Sequence, residues 1–247
     1  MNDQTQAKPA GSSGSLHLIP VSLGEAPSSL WLPEDVRRLA AGLTIYIAEN
    51  AKTARAFLKS IQAATPLREI TIHTLDARTD AREIREWLQP LRQGADIGLV
   101  SEAGCPAVAD PGAKVVSVAH ALGLPVRPWT GPSSILLGLM ASGLDGQRFA
   151  FHGYAPVEPN ARAAQLRTWE NESRKHNQTQ IFIETPYRNT AMLQTLLQAL
   201  KGTTRLCIAR GLTTPDEFIR TLSVAEWKNA AHPDLSKIPT VFLFLAT

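Results

Sequence analysis

The chain has 247 residues, 44% of them hydrophobic, and a formal net charge of +3 from 25 Lys and Arg against 22 Asp and Glu. This length suits one large domain or two of about 120 residues each, and no apolar run approaches the roughly 18 residues that span a bilayer. The mild excess of basic residues permits a nucleic-acid partner without requiring one.

Two cysteines, Cys105 and Cys207, lie far apart and have no metal-ligand or CxxC spacing. The amino terminus lacks the basic start and apolar stretch of a secretory signal. We therefore expect a cytoplasmic protein with reduced cysteines and no bound metal.

The first half of the chain alternates between apolar β-branched runs and helical patterns. Residues 1–14 are polar and rich in small residues, which predicts a disordered tail. Predicted strands cover 16–21, 43–48, 70–75, 96–100 and 124–129, and predicted helices cover 33–42, 51–64, 79–92 and 113–122. Asn50 is the expected N-cap of the second helix. This alternation predicts an N-terminal α/β domain over 15–129 with a mostly parallel sheet.

The second half has a different pattern. Predicted helices cover 135–141, 160–176 and 191–200, with a short one ending at Trp227, and predicted strands cover 149–152, 181–188, 206–210, 217–222 and 238–246. Several of these strands have no helix between them, so we expect a mixed sheet. The fold class is therefore α/β with two α/β domains, and the second domain covers 130–247.

A loop of small residues follows the predicted strand 96–100. It runs from Ser101 to Gly112, and Gly104 and Gly112 permit positive φ where a ligand approaches the backbone. Glu102 and Asp110 cannot bind phosphate by charge, so they suit a cationic or hydroxyl-bearing ligand or a helix N-terminus. The alternative is an ordinary loop with two turn prolines.

A second loop of interest is Thr130-Gly-Pro-Ser-Ser134, directly before a predicted helix. Backbone amides and two hydroxyls at a helix N-terminus suit a carboxylate, and the alternative is a simple N-cap. The sequence has no P-loop, no G-x-G-x-x-G turn, no Cys/His cluster and no G-x-S-x-G elbow.

Six segments in the correct order resemble motifs of the tetrapyrrole methylase superfamily, and most closely its ribosomal branch, the 16S rRNA cytidine 2′-O-ribose methyltransferases. Ser101–Pro106 with Ala109–Gly112 is similar to the S-D-A-G-x-P…S-D-P-G loop, and Thr130–Ser134 to P-G-P-S-A. The other similar segments are Ala48–Thr53 (A-E-D-T-R-x-T), Ala141–Leu144 with Phe149–Pro156 (A-S-G-L and F-x-F-x-G-F-L-P), Glu184–Arg188 (E-S-P-H-R) and Ala209–Thr213 (A-R-E-L-T).

This resemblance implies a two-domain fold that binds S-adenosylmethionine (SAM) in the cleft between the domains, usually as a homodimer. The SAM-binding positions that it implies are Gly24, Glu102, Ala103, Gly104, Val108, Ala109, Asp110, Ser133, Ser134, Ala209, Gly211, Leu212, Pro239 and Thr240. It also implies RNA in the small ribosomal subunit as the partner.

The chain departs from the family pattern mainly in polar positions. Asn50 and Lys52 stand where the family has Asp and Arg, Tyr187 replaces His, and Gly211 and Thr214 replace Glu and Lys. The remaining polar candidates for catalysis are Glu49, Lys52, Glu184, Arg188 and Arg210. Their alternative roles are helix capping for Glu49, solvation for Lys52 and Arg188, and inter-strand pairing for Glu184 and Arg210.

Three functions follow from this comparison. The first is a SAM-dependent methyltransferase acting on a ribose hydroxyl of small-subunit rRNA. The second is methylation of a tetrapyrrole or another small molecule, and the third is a SAM-binding protein without catalysis.

Overall fold

The computed structural model describes residues 13–246, which form two compact units. The first holds the described residues up to Ser22 together with Ala26–Pro132, and the second holds Leu23–Glu25 and the described residues from Ser133 onward. The domain ranges 15–129 and 130–247 stay predictions. Residues 1–12 of the expected tail lie outside the described residues, whereas the Gly14 amide donates a hydrogen bond to the Leu91 carbonyl at 2.6 Å.

The first unit contains a five-stranded sheet in the order β3-β2-β4-β1-β5, with every pair parallel. Its elements are β1 (Leu16–Leu18), α1 (Glu34–Gly42), β2 (Ile45–Ala48), α2 (Ala51–Ser60), β3 (Thr71–Thr74), α3 (Ala81–Trp87), α4 (Gln89–Arg92), β4 (Ile97–Val100), α5 (Gly112–Ala121) and β5 (Val126–Pro128). Alternate side chains enter opposite cores: Tyr46 packs in the cluster with Leu58, while Ile47 packs in the cluster with Leu99. The predicted parallel sheet is therefore confirmed.

The second unit contains a mixed five-stranded sheet in the order β6-β7-β10-β8-β9, as predicted. Its elements are α6 (Ser134–Ser142), β6 (Phe149–Tyr154), α7 (Pro159–His176), β7 (Thr179–Ile183), α8 (Asn189–Ala199), β8 (Arg205–Arg210), β9 (Phe218–Ser223), α9 (Val224–Trp227) and β10 (Thr240–Leu245). Phe182 and Phe242 pack with Leu193 of α8 on one face, and Ile181 and Val241 pack with Leu139 of α6 on the other.

The helix expected over 79–92 and the strand expected over 181–188 differ from the structure for an identifiable reason. The helix expected over 79–92 begins after Asp80, whose carboxylate caps it, and is interrupted at Leu88. Pro90 has no amide hydrogen to continue the helical ladder, which explains the break. The strand expected over 181–188 ends at Ile183, and Pro186–Arg188 form a 3-10 turn instead.

Strand direction determines which loops meet in each unit. The five parallel strands of the first sheet bring the segments after β1, β2 and β4 to one edge. In the second sheet β6 runs parallel to β7, while β10 is antiparallel to both β7 and β8. The carboxyl ends of β6, β7 and β8 therefore meet the amino end of β10 at one edge.

We expect Gly98→Ala in β4 to destabilise the protein by about 2–4 kcal/mol. A Cβ at Gly98 would lie 2.5 Å from the Tyr46 ring, whose hydroxyl donates a buried hydrogen bond to the Ala40 carbonyl at 2.5 Å. Gly42→Ala is the matched control, since a Cβ at the end of α1 meets nothing within 4 Å. Chemical denaturation of both variants measures the difference, and equal stabilities would contradict the close contact.

Candidate functional site

The loop after β4 is fastened to the end of β1. Val21 donates to the Gly104 carbonyl at 2.9 Å, and Gly104 donates back to the Val21 carbonyl at 3.2 Å. The Ser101 hydroxyl donates toward the carbonyls of Ala103 and Gly104 at 3.1 and 3.2 Å. The loop that the sequence singled out therefore lies at the carboxyl edge of the first sheet.

Asp110 organises the distal half of this loop. Its carboxylate accepts the Ala107 amide at 2.9 and 3.0 Å and the Gly112 amide at 2.6 Å. Gly104, Ala107 and Ala109 have φ of 72°, 68° and 61°. Such a conformation costs an alanine about 1–2 kcal/mol, so the hydrogen bonds of Asp110 hold a strained backbone.

Three carboxylates share this edge. Burial raises the pKa of Glu49, and the negative charges of Asp110 and Glu102 raise it further. Burial also raises the pKa of Asp110 above its usual range, against the effect of the Gly112 and Ala107 amides. An acidic edge of this kind attracts cations and hydrogen-bond donors and repels phosphate.

Asn50 is the N-cap of α2, as predicted, because its side-chain oxygen accepts the Lys52 amide at 2.9 Å. Its side-chain nitrogen points toward Glu102 Oε1 at 3.4 Å. Glu49 is therefore not the helix cap, and its carboxylate lies close to those of Asp110 and Glu102. The Lys52 side chain is exposed in the first turn of α2.

In the second unit, Ser133 is the N-cap of α6 and accepts the Leu136 amide at 3.5 Å, while Ser134 is the first helical residue. This agrees with the simple capping role for Ser133. Gly24 lies against Thr214, where a Cβ would approach the Thr214 methyl group to 2.5 Å.

Glu184 is buried at the end of β7 and forms an ion pair with Arg188. Its Oε1 accepts the Arg188 guanidinium at 2.5 Å and the Thr185 amide at 2.6 Å. The alternative of inter-strand pairing for Glu184 is thus wrong, since the partner lies in the turn that follows its own strand.

Arg210 ends β8 and donates to the Asp234 carbonyl at 2.6 Å. Gly211 has φ of 57° and donates to the Pro239 carbonyl at 2.9 Å, and Leu212 is buried. Thr240 is the register partner of Arg210, so residues predicted from two separate sequence segments, 209–212 and 239–240, meet at this edge. Ala209 lies within the buried strand.

The same edge contains polar atoms that are buried and have no hydrogen-bond partner among the described residues. These atoms are Glu184 Oε2, Arg188 Nε, Asn189 Oδ1, Arg210 Nε and Thr213 Oγ1. Asn189 and Thr213 are not among the site residues that the sequence predicts. Asn189 directly follows the E-T-P-Y-R segment at the start of α8, and this adjacency was the available signal.

Within residues 13–246, no three His, Cys, Asp or Glu side chains are grouped in a way that holds a metal ion. None of the helices described combines the length and apolar character needed to cross a bilayer.

The sequence matches the family described as Tetrapyrrole (Corrin/Porphyrin) Methylases over residues 33–227. The chain belongs to this family.

Curated relatives carry the name Ribosomal RNA small subunit methyltransferase I. The protein from Micromonospora olivasterospora is 34% identical over 218 residues, covering 87% of this chain and 64% of the relative. The protein from Pseudomonas aeruginosa is 30% identical over 219 residues, covering 87% of this chain and 72% of the relative. The chain thus spans about two thirds of the length of these relatives.

Two solved structures share the fold. The methyltransferase CobJ superposes with a TM-score of 0.62 at 19% identity and covers 95% of both chains. Uroporphyrin-III C-methyl transferase from Thermus thermophilus, complexed with S-adenosyl homocysteine, gives a TM-score of 0.53 at 18% identity and covers 94% of this chain and 97% of that one.

Ala109→Gly should raise the free energy of unfolding by about 0.5–1 kcal/mol. Glycine adopts the positive φ without strain, and this gain exceeds the larger backbone entropy that glycine loses on folding. Ala56→Gly, at an exposed position inside α2, should instead lower it by about 1 kcal/mol. Urea denaturation compares the two, and a loss of equal size in both would show that Ala109 is not strained.

Glu49→Gln should raise the melting temperature by about 1–3 °C at neutral pH. The pKa of Glu49 is raised in the folded state, so its stabilising contribution is present below the unfolded pKa and is lost as the pH rises through the folded pKa. The difference in melting temperature between the variant and the unmodified protein should therefore vanish at about pH 4. Glu86→Gln, at an exposed position on α3, is the control; an identical profile for both variants would rule out the carboxylate cluster as the cause.

Proposed function

We propose that the protein is a SAM-dependent methyltransferase that acts on RNA of the small ribosomal subunit, at the ribose 2′-hydroxyl of a cytidine. The observation that carries the proposal is 30–34% identity, over 87% of this chain, to proteins named for small-subunit rRNA methylation. The order of the six motifs and the family membership support the same activity.

The residues of the first unit fit SAM as the methyl donor. SAM bears a positive sulfonium and two ribose hydroxyls, and carboxylates complement both kinds of group. Glu102 and Asp110 provide these carboxylates, and the small residues from Ala103 to Ala109 leave the backbone accessible. The family resemblance adds Gly24, Ser133, Gly211 and Thr240 as predicted SAM-binding positions. When bound, SAM supplies a methyl group that is activated toward nucleophiles.

Methyl transfer requires alignment of the acceptor and removal of its proton, and it needs no metal. Glu49 is our candidate general base, because its raised pKa makes it a better proton acceptor near neutral pH than an ordinary glutamate. Lys52, on the exposed first turn of α2, would attract the RNA backbone. Glu184 would hold Arg188 in position, and Arg188 and Arg210 would contact substrate.

We also propose that the protein acts in the cytoplasm as a homodimer. Leu136 and Met140 are exposed one helical turn apart on α6, so they form an apolar strip available to a second copy. Sedimentation of the purified protein tests this part separately from activity.

One observation favours a second candidate function, methylation of a tetrapyrrole. The family to which the chain belongs is described by corrin and porphyrin methylation, and Uroporphyrin-III C-methyl transferase superposes along 94% of this chain with a TM-score of 0.53. A SAM-binding protein without catalysis is the third possibility, because Gly211 and Thr214 lack the side chains of the family's Glu and Lys.

The test is transfer from tritiated SAM to small ribosomal subunits purified from a strain that lacks the protein. We expect label in the small-subunit rRNA, with 2′-O-methylcytidine found by mass spectrometry after nuclease digestion. Label in a tetrapyrrole fraction instead would favour the second function. SAM binding by calorimetry with no label in any fraction would favour the third.

Gly112→Ala should weaken SAM binding by about 10-fold. A Cβ there would lie 2.7 Å from Asp110 Oδ1 and 3.1 Å from the Ala107 amide, so the loop must shift. Gly42→Ala, which meets no neighbouring atom, should bind SAM as the unmodified protein does. Unchanged affinity in Gly112→Ala, measured by calorimetry, would place the SAM site elsewhere.

A further inference from the structure

Two exposed tyrosines lie at the ends of neighbouring strands in the second unit. Tyr154 is the last residue of β6 and the register partner of Ile183 in β7, and its side chain is 55% exposed. Tyr187 lies in the 3-10 turn that follows β7 and is 83% exposed. Both rings therefore border the carboxyl edge of the second sheet.

The core of the second unit forms without these rings. Phe182, Phe242, Phe244 and Trp227 are all fully buried, and their contacts fill the sheet face that packs against α8. An aromatic ring buries 150–250 Å² when it is packed, so two rings left in water forgo a large stabilisation. Exposed aromatic side chains that do not serve the core are typical of binding surfaces.

Two guanidinium groups lie on the same edge as these rings, and each has an acidic neighbour: Arg188 pairs with Glu184, and Arg210 lies beside Asp234. Arg188, the neighbour of Tyr187, has 31% of its side chain exposed although one of its nitrogens is paired with Glu184. Arg210 lies at the end of β8 on the same edge. Guanidinium groups next to exposed aromatic rings suit a ligand that combines flat bases with phosphates.

We infer that Tyr154 and Tyr187 form a stacking surface for unpaired RNA bases, with Arg188 contacting the phosphate backbone. We refer to these three residues as the stacking surface. This inference rests on the proposed function and specifies the form of the RNA: a single-stranded segment, because bases inside a duplex have no free face for stacking. Stacking on tyrosine tolerates any base, so the stacking surface provides affinity and the sequence is selected elsewhere.

The experiment measures binding of a fluorescent 12-nucleotide unpaired RNA and of the same sequence in a duplex, by anisotropy. Tyr187→Ala should weaken binding of the unpaired RNA about 10-fold, and Tyr154→Ala should weaken it by a smaller factor. Tyr187→Phe keeps the ring and should stay within about 2-fold of the unmodified protein. Duplex binding should be unaffected by all three.

Phe149→Ala is the matched control. Phe149 is also an exposed aromatic residue of β6, 39% accessible, but it begins the strand, about 17 Å from Tyr154. The Phe149→Ala variant should bind the unpaired RNA with the affinity of the unmodified protein. An equal loss in Phe149→Ala and Tyr187→Ala would overturn the inference.

Methyl-transfer kinetics separate this inference from the proposed function. If the unmodified protein methylates rRNA, Tyr187→Ala should raise KM for RNA about 10-fold with SAM affinity unchanged. An unchanged KM would refute the stacking surface and leave the activity standing, whereas absence of any transfer to RNA by the unmodified protein would refute the proposed function. A change in oligomeric state on sedimentation, with RNA binding intact, would identify the tyrosines as a protein interface and contradict the inference.

Discussion

Strand direction is the constraint that locates the chemistry in each unit. In the first sheet all five strands are parallel, so the loops after β1, β2 and β4 share one edge and Val21 can pair with Gly104. In the second sheet β10 is antiparallel to both β7 and β8, and its amino end therefore joins their carboxyl ends. Reversing β7 would move Glu184 to the opposite edge of the second sheet, and reversing β8 would do the same to Arg210.

The acidic edge of the first unit is held together at an electrostatic cost. Asp110 accepts two backbone amides, which favours its ionised form, yet burial outweighs them and its pKa is raised. The pKa of Glu49 is raised as well. Near neutral pH both carboxylates are ionised, and each then reduces the stability of the fold. Such a cost is common at binding sites, where a complementary ligand offsets it. A ligand with positive charge or hydroxyl donors provides that compensation.

Local sequence patterns predicted the order and type of the elements, because apolar periodicity and capping residues act over a few positions. The capping of α2 by Asn50 and the mixed strand directions of the second sheet were both predicted in this way. The positive φ of Ala107 and Ala109 could not be predicted, since alanine carries no signal for it and the conformation depends on Asp110. The burial of Asn189 and Thr213 likewise depends on how separate segments meet, and single-sequence patterns do not contain that information.

The glycine that replaces the family's glutamate at position 211 is explained by the local backbone. At Gly211 a Cβ would lie 2.8 Å from the Asp216 carbonyl oxygen with φ at 57°, so this path of the loop excludes the family's glutamate. Thr213 has φ of 67°, which is unfavourable for a β-branched residue, and its hydroxyl is buried with no hydrogen-bond partner among residues 13–246. A strained loop persists only where the surrounding structure holds it. The loop path at the end of β8 therefore requires glycine at position 211, and a glutamate placed there would displace the loop.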